Sequence, residues 1–265
     1  MQAMTAISYS APRALPLRPL ALPSEHGGWG FLFEPLVLAL AIRPSLAGSL
    51  VALAFVFGFL SRHPLKLAMQ DLLREKSYPR TRWCWLFACS YALAAIASLS
   101  FAIGLRSWSI VIPIGLVVPL GVMQLLHDAN NQSRALIAEL GGAVAMSSSA
   151  AAIAIAGGMR ILPAFALSGI IVARSIPSIV YVRTLLQRAH GKSAPSWPAL
   201  ALHALAIALV ALFASRFAIA AMVLLFARAA WALARPAPPA KTIGWREIAW
   251  GFVTVALVAI PTIVR

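Results

Sequence analysis

ILPAFALSGIIVARSIPSIVYVRTLLQ, residues 161–187, is long enough to cross a bilayer and holds one charge at its centre, Arg174. About 17 to 25 mostly apolar residues span the hydrocarbon as a helix. An arginine cannot escape that environment by losing its proton, so at this depth it needs an acidic partner or a water-filled cavity. The stretch therefore sets two expectations: the chain lies in a membrane, and its bundle has a polar interior. Arg174, Ser178, Tyr181 and Arg188 follow the spacing of one helical face, and Pro177 leaves the carbonyl of Ala173 without its helical partner. Pairing with Glu34 or Glu139 would satisfy Arg174 structurally. Contact with a ligand is the other reading.

Working outward, the composition repeats the pattern. The chain is 61% hydrophobic and 11% charged. Apolar runs between breakers predict nine helices, at about 28–43, 46–63, 83–104, 108–126, 135–157, 161–187, 197–214, 217–233 and 246–264. The first is short and contains Glu34 followed by Pro35, so it is expected to be broken or partly re-entrant. The first 22 residues, with Pro12, Pro16 and Pro19, read as a disordered tail and not a cleavable signal peptide, which leaves residues 23–265 as a single transmembrane domain. Cys84 and Cys89 lie about 140° apart on one helix, too far to share a metal or a disulfide, and read as core filler.

A formal charge of +15 would point to nucleic acid in a soluble domain. Here the basic residues fall between the apolar runs, where they set orientation and meet anionic headgroups, so nucleic-acid binding is not expected. Counted by alternate connections, sixteen Lys and Arg fall on one side and five on the other, with Arg174 inside a span. This asymmetry puts the N-terminus in the cytoplasm and the C-terminus outside a bacterial inner membrane. The cytoplasmic connections also read as the longer ones, above all Pro64 to Arg82.

Four of the seven acids lie in or beside apolar runs: Glu25, Glu34, Asp128 and Glu139. Pro23-Ser24-Glu25-His26-Gly27-Gly28-Trp29-Gly30 opens the first helix with an acid, a titratable base and close-approach glycines, or else forms an interfacial cap. Ser61-Arg62-His63-Pro64-Leu65-Lys66 forms a compact basic mouth able to grip phosphate or carboxylate, or a stop-transfer cluster. His127 and Asp128, followed by Ser133, Arg134 and Glu139, give an oriented base or a capping network; adjacent helical residues point about 100° apart and are not automatically a dyad. Gly141, Ala145 and Ser149 form a small-residue stripe suited to tight helix packing.

Together, Glu-His-Gly-Gly-Trp-Gly at 25–30 with Glu34-Pro35, the Ser-Arg-His-Pro-Leu-Lys run, His-Asp-Ala with Ser-Arg and Glu139, and Arg-Ser-Ile-Pro with Tyr-Val-Arg resemble the YwiC-like family of bacterial membrane proteins. The likeness extends over nearly the whole chain after residue 22 and implies no particular activity. In helix layout alone the chain is also similar to UbiA-type intramembrane prenyltransferases, which implies a UbiA-like bundle with chemistry in the loops after the second and sixth helices. Those enzymes bind a prenyl diphosphate through Mg²⁺ on two Asp-rich motifs. The matching stretches here offer Arg62, His63 and Lys66, then Arg174, Tyr181 and Arg183, with Asp71 and Glu75 as the only acids in either loop. Magnesium needs carboxylate and water oxygens, so no metal or cofactor is expected.

The expected protein is thus an all-α, nine-span membrane protein with a cavity open to the cytoplasmic side. Membrane lipids and a small-molecule or lipid substrate are its expected partners, with an anionic or isoprenoid-type lipid foremost. Transfer chemistry would use His26, His127, Asp128 and Glu34. Arg62, His63, Lys66, Arg134, Glu139, Arg174, Tyr181 and Arg183 would bind the substrate. The alternative is a transporter of a small anion or proton-coupled solute, with Glu34, Asp128, Glu139 and Arg174 forming a relay. A third reading is an accessory subunit that uses these groups only to fix packing.

Overall fold

The computed structural model describes residues 16–23 and 26–263, and within them every regular element is helical. One turn, α1 (Arg18–Ala21), precedes nine longer helices: α2 (His26–Ile42), α3 (Leu46–Leu73), α4 (Pro79–Leu105), α5 (Val111–Ala129), α6 (Leu136–Ala156), α7 (Ile161–Ala189), α8 (Trp197–Ala211), α9 (Arg216–Leu233) and α10 (Ala240–Ile263). Each apolar run of the sequence becomes one of the nine. By length and composition seven are able to cross a membrane, while Gly28–Ile42 and Trp197–Ala211 are shorter apolar helices.

Three expectations change. Pro35 does not break α2, which runs through it as one helix. Pro64 does not end α3, which continues to Leu73, so the long connection expected after the second run shrinks to residues 74–78. The extension is amphipathic, with Ala68, Gln70 and Asp71 turned inward; loss of hydropathy after Pro64 marked the end of the apolar run and not of the helix. Cys84 is buried as expected, whereas Cys89 is exposed. The tail lies mostly outside the described residues, but within residues 16–23 Leu20 of α1 is buried against Ala68 and Cys84.

Helix α6 is the axis. Its Ala, Gly and Ser residues are buried almost without interruption from Gly141 to Ala156, letting α2, α3, α5 and α7 approach closely. Ser168 of α7 inserts into its backbone ladder, accepting from Ala151 N–H at 3.0 Å and donating to Ser147 C=O at 2.7 Å. One apolar cluster joins Leu32 and Leu36 of α2 to Val51 of α3 and Ile153 of α6. A second joins Leu38 of α2 to Val210, Leu225 and Val258 of α8, α9 and α10. Because α10 packs on α2, the last helix closes the bundle against the first long one. The outer surface suits lipid: α4 exposes Leu93, Ile96 and Phe101, and α5 exposes Leu116 and Val122.

The helices run up and down, so alternate connections meet at opposite ends. At one end, Gly157 sits so close to Arg43 that a Cβ would meet its Cβ and carbonyl at 2.8 Å. The guanidinium of Arg106 occupies the place of a Cβ on Gly158, whose φ of +86° also favours glycine. At the other, more basic end, Lys66 Nζ donates to Ser133 Oγ at 2.7 Å and Arg183 to the carbonyl of Arg134 at 2.9 Å. There Arg188 ties the connections after α7 and α9 together, donating to Ala194 C=O, Ser196 Oγ and Leu233 C=O.

Candidate functional site

Helices α2, α3, α5, α6, α7 and α10, with the α5–α6 connection, enclose a cavity of about 490 Å³, the size of sites for drug-sized ligands. Its walls are largely apolar, formed by side chains such as Phe31, Phe59, Leu125, Met146 and Ile179. Missing side chains make part of the room: a Cβ at Gly58, Gly121 or Gly244 would meet nothing within 4 Å.

The floor is charged. Arg174, halfway along α7 and 2% exposed, sits with Nε 2.8 Å from Oε2 of Glu34 on α2. The two attract as ions but are not aligned for a hydrogen bond, so Nε and Oε2 each lack a hydrogen-bond partner. Arg174 also donates through Nη2 to the backbone carbonyl of Glu247 at 2.9 Å. The Glu247 carboxylate in turn binds Arg228 of α9, whose guanidinium lies 4.3 Å from the Tyr181 ring centre and 5.7 Å from that of Trp250. Four helices thus supply an alternating row of charges, matched one to one as burial requires.

Gly251 of α10 makes that row possible, since a Cβ there would collide with the Glu34 carboxyl group. Gly251→Ala is expected to push Glu34 off Arg174 and lower stability by about 1–3 kcal/mol, the usual cost of overpacking. Unfolding titration in detergent would check this.

The mouth lies at the basic end. Arg183 donates from Nη1 to Glu139 Oε2 at 2.8 Å, and both are about one-third exposed. Arg62 grips Asp128 with two bonds, Nε to Oδ2 at 2.6 Å and Nη2 to Oδ1 at 3.0 Å, while Gln70 donates to the Asp128 carbonyl. Lys66 and Arg134 make no ion pair among the described residues. Arg62, His63 and Lys66 also border a hollow of about 20 Å³, beside Pro23 and Phe59, room for about one water.

The structure therefore brings Glu34, Arg62, Arg134, Glu139, Arg174 and Arg183 to one cavity. It does not bring the others there. Asp128 is fully buried and engaged by Arg62, which makes it a structural partner and not an accessible base. His127 bonds the Met123 carbonyl one turn back, and His63 the carbonyl of Pro19. Tyr181 is not among the residues that line the cavity and packs beside it, under Arg228 and edge-on to His203. Positions 174, 178, 181 and 188 keep within about 80° of one face at 3.6 residues per turn, but the cavity opens to one flank of that face, beside Ser178 and Val182, and Tyr181 lies on the other flank, against Ala199 and Ala229. Glu25 and the side chain of His26 lie outside the described residues.

Sequence reasoning missed Glu247, Arg228 and Asp71. The first two stand near the ends of their runs: Arg228 counts only among the basic residues of the cytoplasmic side, and Glu247 carries no reading. The signal available was that each precedes a further turn or more of apolar helix. Asp71 read as a loop acid, yet it is buried and held by Arg80 at 2.8 Å and Thr81 at 2.7 Å.

A family model described as YwiC-like protein matches residues 22–154, half of the chain, from the start of α2 nearly to the end of α6. The match covers Glu34, Arg62, Arg134 and Glu139 but stops before Arg174 and Arg183, and so is shorter than the likeness read from the sequence. Comparison with curated proteins gave no match, and neither did comparison with solved structures.

Proposed function

We propose that this chain, a helical membrane protein that belongs to the YwiC-like family, binds an anionic lipid of isoprenoid type in the cavity. The headgroup lies at the mouth and the chain between the helices. The observation that carries the reading is a mismatch in charge. On the floor every cation has its carboxylate, whereas at the mouth Arg134, and Lys66 just outside it on Ser133, have none among the described residues. A phosphate or carboxylate headgroup would supply the missing charge, and apolar walls of about 490 Å³ would take the chain. The Lys and Arg asymmetry supports a cytoplasmic mouth.

Binding of farnesyl phosphate and farnesol to delipidated protein tests this. The phosphate is expected to bind at least tenfold more tightly, and Lys66→Ala with Arg134→Ala to remove most of that preference. Equal affinity for the two ligands would sink the reading.

A second reading, proton-coupled transport of a small solute, draws support from the buried row Glu34–Arg174–Glu247–Arg228. It requires solute-dependent proton uptake in proteoliposomes that Glu34→Gln abolishes. Pure lipid binding gives none.

A further inference from the structure

Among the described residues that line the cavity, three buried side-chain polar atoms have no hydrogen-bond partner: Arg174 Nε, Glu34 Oε2 and Ser178 Oγ. Arg174 and Ser178 are each 2% exposed and stand one turn apart on α7, both lining the cavity. Their chemistry is mixed. The carboxylate oxygen only accepts, the guanidinium only donates, and the serine hydroxyl does both. A hydrocarbon end pressed against this trio would leave all three unsatisfied, at a cost in binding. A second anion would meet Glu34. A neutral group that donates and accepts together suits all three atoms, and a hydroxyl is the smallest such group.

We propose that the floor is a subsite for a hydroxyl group at the buried end of the ligand, which donates to Glu34 Oε2 and accepts from Ser178 or Arg174. This rests on the reading that the rim cations hold an anionic headgroup. It adds that the ligand is polar at both ends: an anion at the mouth, an apolar middle and a hydroxyl at the floor. From Arg174 to Arg183, α7 rises roughly 13 Å at 1.5 Å per residue, a reach similar to an extended farnesyl chain.

The test compares farnesyl phosphate with its ω-hydroxy analogue on delipidated full-length protein. The hydroxylated ligand is expected to bind about tenfold more tightly, the worth of one good buried hydrogen bond. Ser178→Ala and Glu34→Gln are each expected to cut that ratio to about twofold or less. Ser178→Ala leaves the Glu34–Arg174 pair in place, so it remains informative if Glu34→Gln does not fold. A ratio of one in the wild type, or a ratio unchanged in both variants, overturns the hydroxyl subsite and leaves the rim reading standing. Failure of the wild type to prefer farnesyl phosphate over farnesol overturns the rim reading and this inference with it.

Discussion

Arg174→Ala is expected to destabilise the protein by about 3–5 kcal/mol, because it strands Glu34 as an uncompensated carboxylate in the middle of the bundle. It also frees the Glu247 carbonyl that Arg174 holds. The size of the loss follows from burial, since breaking one partner of a buried pair removes the attraction but not the desolvation of the survivor. Replacing both partners with apolar residues of similar volume, Arg174→Met with Glu34→Leu, is expected to recover most of the loss while abolishing any function of the floor. Reversible unfolding in detergent of the two single variants and the double variant measures this coupling.

Arg62→Ala is the other large effect, and its asymmetry is the informative part. Asp128 has a fully buried side chain, while Arg62 is 23% exposed. Removing Arg62 leaves an acid with no route to water, at a cost of about 3–5 kcal/mol. Removing the acid with Asp128→Ala leaves a long cation able to turn towards solvent, at a cost smaller by about 1–2 kcal/mol. Both variants are compared by the same unfolding titration. Equal losses would contradict the burial difference on which the expectation rests.

The helices were legible because hydropathy over about twenty residues reports burial in lipid directly. Pairings were less so. Arg174 needed an acid, and Glu34 and Glu139 both qualified; only packing selects Glu34, by bringing α2 against α6 and α7 and leaving Glu139 near the mouth with Arg183. Arg62 and Asp128 each carried a functional reading alone and turn out to hold one another across 66 positions of sequence. No local spacing encodes that contact. Asp71 shows the opposite failure, a residue discounted as loop because the apolar run ended at Pro64 although the helix did not.

Met146 lines the cavity from α6, whereas Ile96 on α4 faces outward. With Cys84 and Cys89 replaced by alanine, labelling of Met146→Cys and Ile96→Cys by a charged, water-soluble thiol reagent in opened membranes asks whether the interior is wet. A wet binding cavity predicts that Met146→Cys reacts, that farnesyl phosphate slows it, and that Ile96→Cys stays inert. If Met146→Cys is as unreactive as Ile96→Cys, the converging charges serve only to hold the helices together.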